Sequence, residues 1–554
     1  MKTVLTTLNA KYIHTSLALR WLYVVNRDRF DISFSEYTIK ESIETIADEI
    51  IVINCQVVGI SVSIWNVAQS RALAARLKEL NPEIIIVLGG PEVSYEPKYF
   101  IDNWQIDYVI SGEGEFVLGE LLQALENGED VDIDCVSSKN SISPNVAQAD
   151  ISELVKYSSP YQLECDDEER KNRMTYFETS RGCPYSCQYC LSSLEKGVRY
   201  FPAEHVINNL GYLINSDVKQ IKFLDRTFNL NKRHTSMVFD YLINNHRPNL
   251  SCQFEIYADL LSDDAIKYIN DNVPKDYFRF EIGIQSTHEP TNMAVKRRQD
   301  FPLLSRNIEQ IMKGDVVDLH LDLIAGLPYE TFDRFRKSFN DVFRLRAKEV
   351  QLGFLKLLRG TNLRRDAKLY GYVYDEEAPY EVFYGNDISA HELDRIRDAE
   401  GALEKFWNSG RFVQTMNMLF DGDYEGRYFE FFDEVGQYYN EHNLPHMGYQ
   451  LEDLFRYLYQ FLQQKGIDAF TQLRNDYYSN FSRRPQGFWK DTMDKKQRKR
   501  MLYLIGQDKD FLNQHSIDRR IVEKMTAIDP LEDGMYLLTL FINGDRRQLI
   551  YDKN

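Results

Sequence analysis

Three cysteines fall within eight residues of this 554-residue chain, in the run Thr179-Ser-Arg-Gly-Cys183-Pro-Tyr-Ser-Cys187-Gln-Tyr-Cys190. Three thiolates on one short loop can grip one face of an iron–sulfur cubane. A four-iron cluster has four metal corners, so three protein ligands leave one iron open to chemistry. A structural zinc ion is the other reading of bunched cysteines, but such ions take two Cys/His pairs and no matching second pair stands nearby. The remaining cysteines, Cys55, Cys135, Cys165 and Cys252, are scattered, and seven in a chain of this length do not make a disulfide framework.

The elements around this loop decide what it can do. From Thr175 onward six strand candidates alternate with helical patterns: Tyr176–Thr179, Gln220–Leu224, Gln253–Tyr257, Arg279–Ile284, Leu319–Ile324 and Glu349–Leu355. The helical stretches include His205–Ile214, Ser236–Asn245, Leu303–Met312 and Thr331–Phe343. Six successive βα units favour a barrel or partial barrel, an architecture that places its functional groups at the carboxyl ends of the strands. The cysteine loop follows the first of these strands.

A separate alternating array precedes it. Thr3–Leu8, Ile32–Tyr37, Val57–Ser63, Ile84–Gly89 and Tyr108–Ser111 are Val/Ile-rich runs suited to a parallel sheet buried on both faces, with helices such as Ala68–Leu80 between them. A doubly wound, Rossmann-like α/β domain is expected over residues 1–130. A polar linker over 131–172, a barrel over 173–362 and a mainly helical region over 363–554 complete the expected order. In that last region tyrosine and phenylalanine are dense, and Met535–Phe541 and Arg547–Tyr551 flank an Asn-Gly turn that predicts a β-hairpin.

Composition narrows the functional classes. The formal net charge is −18, from 66 basic and 84 acidic residues, a balance that repels phosphate backbones and argues against nucleic acid as partner. The clearest basic run, Lys495–Arg500, reads as a solvated helix face. The hydrophobic share of 43% belongs to a globular protein, and the longest apolar stretches are strand-sized, too short for a membrane span. The N-terminus has no apolar stretch with a cleavage site, so a cytoplasmic location is expected.

The Cys-x3-Cys-x2-Cys run, with an aromatic residue before its last cysteine and Ser-Arg-Gly in front, resembles the signature of the radical S-adenosylmethionine (SAM) superfamily. The resemblance implies a [4Fe–4S] cluster on Cys183, Cys187 and Cys190 whose open iron binds SAM through its amino and carboxylate groups. Reductive cleavage then yields methionine and a 5′-deoxyadenosyl radical. An electron donor such as flavodoxin or ferredoxin is implied as partner. Tyr189 would lie beside the adenine. Asp225, at the end of the second strand, would contact the SAM amino group, although this chain reads Asp225-Arg where many relatives have Asp-Asp or Gly-Glu. Glu281 and Gln285 match the ribose-contacting segment, Arg297 stands where relatives face the SAM carboxylate, and Asp322 lies in the matching segment that closes strand five.

The N-terminal array resembles the cobalamin-binding domain of the B12-dependent members of that superfamily. Ser61 and Ser63 after strand three, Gly89, Gly90 and Glu92 after strand four, and Gly112 and Glu113 after strand five are small or polar residues at strand ends. Such residues let a loop approach a bulky ligand and offer backbone N–H groups to a phosphate. The loop after strand one carries His14 in Asn9-Ala-Lys-Tyr-Ile-His14, outside the Asp-x-His-x-x-Gly context of a cobalt ligand, so His14 is expected to be a packing or helix-start residue. Relatives share that start and a C-terminal extension whose role is uncharacterised. There Arg411, Gln414 and Tyr428–Phe432 are candidates to line a cap, with a plain helical core as the alternative. The expected reaction is cobalamin-dependent methyl transfer to an unreactive carbon. The alternatives are a radical rearrangement, oxidation or cyclisation and, outside catalysis, a tetrapyrrole or metal carrier. The sequence does not name the substrate.

Overall fold

Thr3–Asn9, buried over its whole length, is strand β1, next to the edge strand of the first sheet. Around it run β2 (Ile32–Thr38), β3 (Val57–Ser61), β4 (Ile85–Gly89), β5 (Tyr108–Ile110) and β6 (Val136–Ser138), in the order β2-β1-β3-β4-β5-β6. The first five are parallel and β6 is antiparallel to β5. Helices such as Leu17–Asn26 and Val67–Leu80 connect them, so the Rossmann-like fold expected from the Val/Ile runs is present. The computed structural model describes residues 1–195, 197–485, 493–531, 534–542 and 545–552, in two compact units, Met1–Leu393 and Asp394–Asn554.

β6 lies in the stretch expected to be a linker, and that stretch is tied down elsewhere as well. Arg20, 5% exposed, binds Asp166 at 2.6 Å and Glu36 at 3.0 Å, and Arg173 reaches Glu36 at 3.2 Å. A polar composition concealed this, because the ties are ion pairs with distant partners.

The second sheet comprises β7 (Thr175–Phe177), β10 (Gln220–Phe223), β11 (Ser251–Glu255), β12 (Phe278–Gln285), β13 (Val317–Ala325) and β14 (Glu349–Phe354), all parallel, in the order β14-β13-β12-β11-β10-β7. A small antiparallel pair, β8 (Ser180–Arg181) with β9 (Arg199–Tyr200), brackets the cysteine loop. β7 and β14 are edges, so this is a partial barrel of six strands. Helices between the strands begin at side-chain caps, among them Asn231, Ser262, Asp300 and Thr331, each of which accepts from a backbone N–H in the first turn.

Alternation along β12 shows how the barrel is built. Phe278, Phe280, Ile282 and Ile284 are fully buried, whereas Arg279, Glu281, Gly283 and Gln285 between them are half-buried on the other face. On the apolar side, Phe254 sits 4.4 Å from the ring of Phe223, 4.6 Å from Phe228, 5.1 Å from Phe278 and 5.2 Å from Phe239. That aromatic cluster locks β10, β11 and β12 to the helix Lys232–Asn244 and fixes where their carboxyl ends stand.

Residues 363–393 belong to the first unit. Tyr372 donates to the Gly326 carbonyl at 2.8 Å, and the pair β15 (Val373–Tyr374) and β16 (Val382–Tyr384) follows. In the second unit, helices Val413–Phe420, Tyr428–Glu441, Leu451–Gln464 and Phe470–Asn480 precede the antiparallel sheet of β17 (Thr526–Pro530), β18 (Met535–Ile542) and β19 (Asp545–Asp552). β18 and β19 pair as the hairpin pattern predicts, and the Asn-Gly turn at 543–544 lies outside the described residues. Tyr428, Phe429, Phe431 and Phe432 are buried, which makes that aromatic run core. Gln414 N–H donates to the Asp476 carboxylate at 3.0 Å, and its Oε1 accepts from Asn475 Nδ2 at 3.0 Å. Among the described residues no helix is long and apolar enough to cross a membrane.

Phe254→Ala should lower folding stability by about 3–5 kcal/mol, because the cavity left among four other rings cannot close. Chemical unfolding followed by tryptophan fluorescence checks this. A loss below about 1 kcal/mol would show that the cluster does not carry the barrel.

Candidate functional site

The cysteine loop is shaped before any ligand arrives. Gly182 has φ +88°, and a Cβ there would collide with the Gly197 carbonyl, so only glycine fits immediately before Cys183. Gln188 N–H donates to the Val295 carbonyl at 2.9 Å, Leu363 N–H donates to the Gln188 carbonyl at 3.0 Å, and Cys190 N–H donates to the Cys187 carbonyl at 3.1 Å. Cys187 is buried, while Cys183 and Cys190 are half-buried. Burial pushes the Cys183 thiol up, the neighbouring Cys190 and Cys187 add to this, and its sulfur lies 3.9 Å from Thr227 Oγ1. Among the described residues no three His, Cys, Asp or Glu side chains converge as they would around a single ion. A cubane gives each thiolate its own iron corner, so three cysteines on one loop can hold one.

Beside the loop, Tyr189 and Arg297 come together. Arg297 Nη1 donates to the hydroxyls of Tyr189 at 3.3 Å and Tyr257 at 3.0 Å, its Nη2 donates to the Gly283 carbonyl, and its guanidinium lies 4.9 Å from the centre of the Tyr257 ring. Tyr185 stacks on the other partner, Tyr257, at 4.4 Å. Gln285, at the end of β12, has φ +68° and a buried Oε1 with no hydrogen-bond partner. Gln188 in the cysteine loop carries a second such oxygen.

A cavity of about 900 Å³ lies between the carboxyl ends of β3, β4 and β5 and the barrel. All seven residues expected from the N-terminal strands line it: Ser61, Ser63, Gly89, Gly90, Glu92, Gly112 and Glu113. The barrel contributes Gly182, Leu191 and Ser192 from the cysteine loop, with Leu224, Arg226 and Leu358 from its strand ends. A side chain at Gly89 would meet no protein atom within 4 Å. No histidine occurs in the described lining. His14 is engaged elsewhere, its Nδ1 2.8 Å from the Tyr176 hydroxyl, which agrees with a packing role.

The cavity rim is a network of ion pairs. Arg181, the residue before Gly182, lies 2.8 Å from Glu115, 3.0 Å from Glu113 and 2.8 Å from Glu178, and its side chain is 11% exposed. Arg199, opposite Arg181 in the β8–β9 pair, also binds Glu113 and donates to the Ala149 carbonyl at 2.7 Å. Burial works against the charge on Glu113, yet Arg199 and Arg181 outweigh it and hold this carboxyl below its usual range. Glu92 is likewise engaged, accepting from the Tyr380 hydroxyl and lying 3.3 Å from Arg359. Both carboxylates thus join the two halves of the unit, a use that no local pattern announces.

Other expected site residues are spoken for in similar ways. Asp225, 2% exposed, accepts from Thr179 N–H at 3.0 Å, Thr179 Oγ1 at 2.6 Å and Ser180 Oγ at 2.5 Å. It therefore braces the start of the cysteine loop and does not stand open to a ligand, and burial raises its pKa to about 6. Glu281 binds Lys222 at 3.0 Å and Gln253 at 2.7 Å inside the barrel. Asp322 stands 2.9 Å from His320 Nε2, close enough for charge attraction. Sequence reading missed Arg226 and Tyr95, which also line the cavity, and Glu255 at the end of β11. For Arg226 and Glu255 the signal was position alone, a charged residue just at or after a strand end; Tyr95, deep in the loop after β4, carried none.

Comparison with known proteins places three family models on the chain: the B12 binding domain over residues 3–122, the radical SAM superfamily over 177–342, and a "Protein of unknown function (DUF4080)" over 368–541. The cobalamin-dependent radical SAM methyltransferase TokK of Streptomyces tokunonensis is 23% identical over 408 residues, 69% of this chain and 59% of TokK. The structure of the cobalamin-dependent S-adenosylmethionine radical enzyme OxsB with aqua-cobalamin and SAM bound superposes with a TM-score of 0.63 at 14% identity, over 90% of this chain and 82% of OxsB. That of the methyltransferase TsrM from Kitasatospora setae, with cobalamin and a [4Fe–4S] cluster, gives 0.58 at 16% identity, over 69% of this chain and 82% of TsrM. At these identities the structural likeness concerns the fold. The chain spans 50–59% of the length of the first curated relatives it matches.

Glu330 offers a test of how the Gln285 segment is held. Its Oε1 accepts from Ser286 and Ser338, each at 2.6 Å, while Oε2 is buried without a partner. Burial raises this carboxyl to about 7 against the opposing pull of those hydrogen bonds and of Arg334. The folded protein therefore holds the proton more tightly than the unfolded chain. Stability should fall as pH rises from about 4.5 to about 7, by roughly 3 kcal/mol, and no further above that window. Denaturant unfolding near pH 5 and near pH 8 should show this drop shrinking in Glu330→Gln; an equal drop in the variant would count against the assignment.

Proposed function

We propose that this radical SAM superfamily protein, with its B12 binding domain in front of the barrel, reductively cleaves SAM at a [4Fe–4S] cluster and transfers a methyl group to an unreactive carbon with the help of cobalamin. The observation that carries the reading is the single cavity bounded on one side by Ser61, Gly89 and Gly112 and on the other by Gly182, Leu191 and Ser192, which flank the cysteine run. A methyl carrier held by the first group and a radical generated at the second would both face an acceptor between them.

In this reading Cys183, Cys187 and Cys190 hold the cluster. Tyr189, Gln285 and Arg297 hold SAM, with the Gln285 oxygen available to a hydroxyl donor and the Arg297 guanidinium to a carboxylate. Ser61, Ser63, Gly89, Gly90 and Gly112 form the bed of cobalamin. When bound, the cluster supplies the electron that breaks a SAM carbon–sulfur bond, and cobalamin supplies the methyl group. Asp225 and Glu281 act as positioning residues, one bracing the cysteine loop and the other holding Lys222. An electron donor such as a flavodoxin or ferredoxin completes the set of partners.

Anaerobic reconstitution followed by mass spectrometry of the SAM products tests the reaction. S-adenosylhomocysteine together with 5′-deoxyadenosine is expected; 5′-deoxyadenosine alone would replace methyl transfer by another radical outcome. Alanine at Cys183, Cys187 or Cys190 should abolish both the brown absorbance and SAM cleavage. Alanine at Cys252, a fully buried core thiol raised to about 12 by burial, should leave the absorbance in place.

Cobalamin binding has its own test. Gly89 has no left-handed φ, and its Cβ position opens on empty space. Gly89→Leu should therefore fold normally while filling the bed, weakening cobalamin uptake by about tenfold or more in absorption titrations. Uptake equal to that of the parent protein would move the cofactor away from β4.

A further inference from the structure

We propose that the outer edge of β19 pairs with the same edge of a second copy of this chain, joining the two β17-β18-β19 sheets into one continuous antiparallel sheet. This interface belongs to the second unit and is independent of the methyl-transfer chemistry. Hydrogen bonds along β18 show which way each backbone group points. The Met535 carbonyl accepts from Leu531 N–H at 2.8 Å, and Phe541 N–H donates to the Met525 carbonyl at 2.9 Å, so Met535 and Phe541 face the β17 side. Facing alternates along an antiparallel strand. Tyr536, Leu538, Leu540 and Ile542 therefore bond toward β19, where they stand opposite Tyr551, Leu549, Arg547 and Asp545. On β19 the backbone groups of Arg546, Gln548 and Ile550 consequently point out of the sheet, and they make no backbone hydrogen bond among the described residues.

Sheet edges are usually blunted by shortness, proline or a bulge. β17, the opposite edge, is five residues long and ends at Pro530, which has no N–H to offer. β19 has eight residues, contains neither proline nor glycine, and keeps an unbroken register with β18. Arg546, Arg547 and Gln548 are exposed, and Ile550 is 57% exposed.

Charge selects the occupant. The strand begins Asp545-Arg546-Arg547 and ends Tyr551-Asp552, so a reversed copy brings opposite charges together. Outward-facing residues must oppose outward-facing ones, which restricts the register. With the twofold axis at Leu549, Arg546 stands opposite Asp552 of the second copy, Arg547 opposite Tyr551, and Gln548 opposite Ile550. Symmetry makes each of these contacts twice, and opposite charges placed across a strand pair stabilise it. Arg546 uses Nη1 on the Asn475 carbonyl at 2.7 Å and on Ser479 Oγ, which leaves the rest of its fork for a carboxylate. A strand without an acidic end would not answer it.

Sedimentation velocity on the full chain with its cluster restored, under reducing conditions and across the micromolar range, reads the association. A reversible dimer is expected. Ile550→Pro removes an outward N–H and leaves the bonds to β18 in place, so the variant should keep the parent's circular dichroism while the dimer weakens about tenfold or more. Arg546→Glu should weaken it comparably by setting like charges opposite each other, and adding Asp552→Arg should restore the parent affinity. That charge exchange decides the matter even if the proline variant does not fold. A monomer at every concentration overturns the proposal and leaves the edge to a different chain. So does a dimer that survives in folded Ile550→Pro, one that Arg546→Glu leaves unchanged, or one that the double exchange fails to restore.

Discussion

The guanidinium of Arg181 sets the relation between the two halves of the first unit. It belongs to the barrel, immediately before the cysteine loop, yet two of its three carboxylate partners, Glu113 and Glu115, belong to the loop after β5. Leaving any member of such a buried group unpaired costs about 3–5 kcal/mol, far more than a surface ion pair contributes. Directional bonds to three oxygen pairs also define an angle, which apolar contacts do not. The cysteine loop therefore starts from a position dictated by the N-terminal sheet, and Gly182 then turns it toward the barrel mouth.

The same economy of charge runs through the barrel. A closed eight-stranded barrel fills its interior with branched apolar side chains. Here the half-buried positions of β12 are Arg279, Glu281, Gly283 and Gln285, and the charges among them are balanced by Lys222 of β10 and Glu349 of β14, with Gln253 of β11 donating to Glu281. Six strands leave an edge on either side, so this polar lumen communicates with the space above it. At the strand ends Gln285 keeps an unsatisfied oxygen, and Arg226 and Glu255 meet only at 3.9 Å. Unsatisfied polar groups persist in folded proteins where a ligand completes them.

Much of this was legible in the sequence, for identifiable reasons. Continuous Val/Ile runs located β1 to β5, and the six barrel strands appeared near their observed places, because burial on one or both faces imposes composition directly. The small residues Ser61, Gly89 and Gly112 pointed to the cavity, since a strand end without a side chain leaves room. What composition could not convey was partnership across long separations. Asp225, Glu92 and Glu113 read as ligand-binding groups because they are acidic and follow strands; their carboxylates instead serve Thr179 and Ser180, Tyr380 and Arg359, and Arg181 and Arg199. β6 was invisible for the same reason: three residues, Val-Ser-Ser, pair only because β5 offers an open edge.

A cavity of about 900 Å³ between two layers raises a mechanical question, since the layers cannot pack on each other across it. Rigid polar ties at the rim answer it. Arg181 and Arg199 clasp Glu113 at one place. At another, Arg359, 5% exposed, binds Glu96 at 2.6 Å, donates to the Tyr380 hydroxyl at 2.9 Å and stacks 3.8 Å over the ring of Tyr99. Gly360 N–H adds a bond to Glu96 at 3.1 Å. Apolar rims would tend to close the gap, because hydrophobic burial is non-directional and rewards any collapse. Hydrogen-bonded ion pairs lose their geometry if the layers approach or part, so they hold a fixed separation. The open space is thus a consequence of where the charges are placed, and a bulky ligand can enter without first forcing the two halves apart.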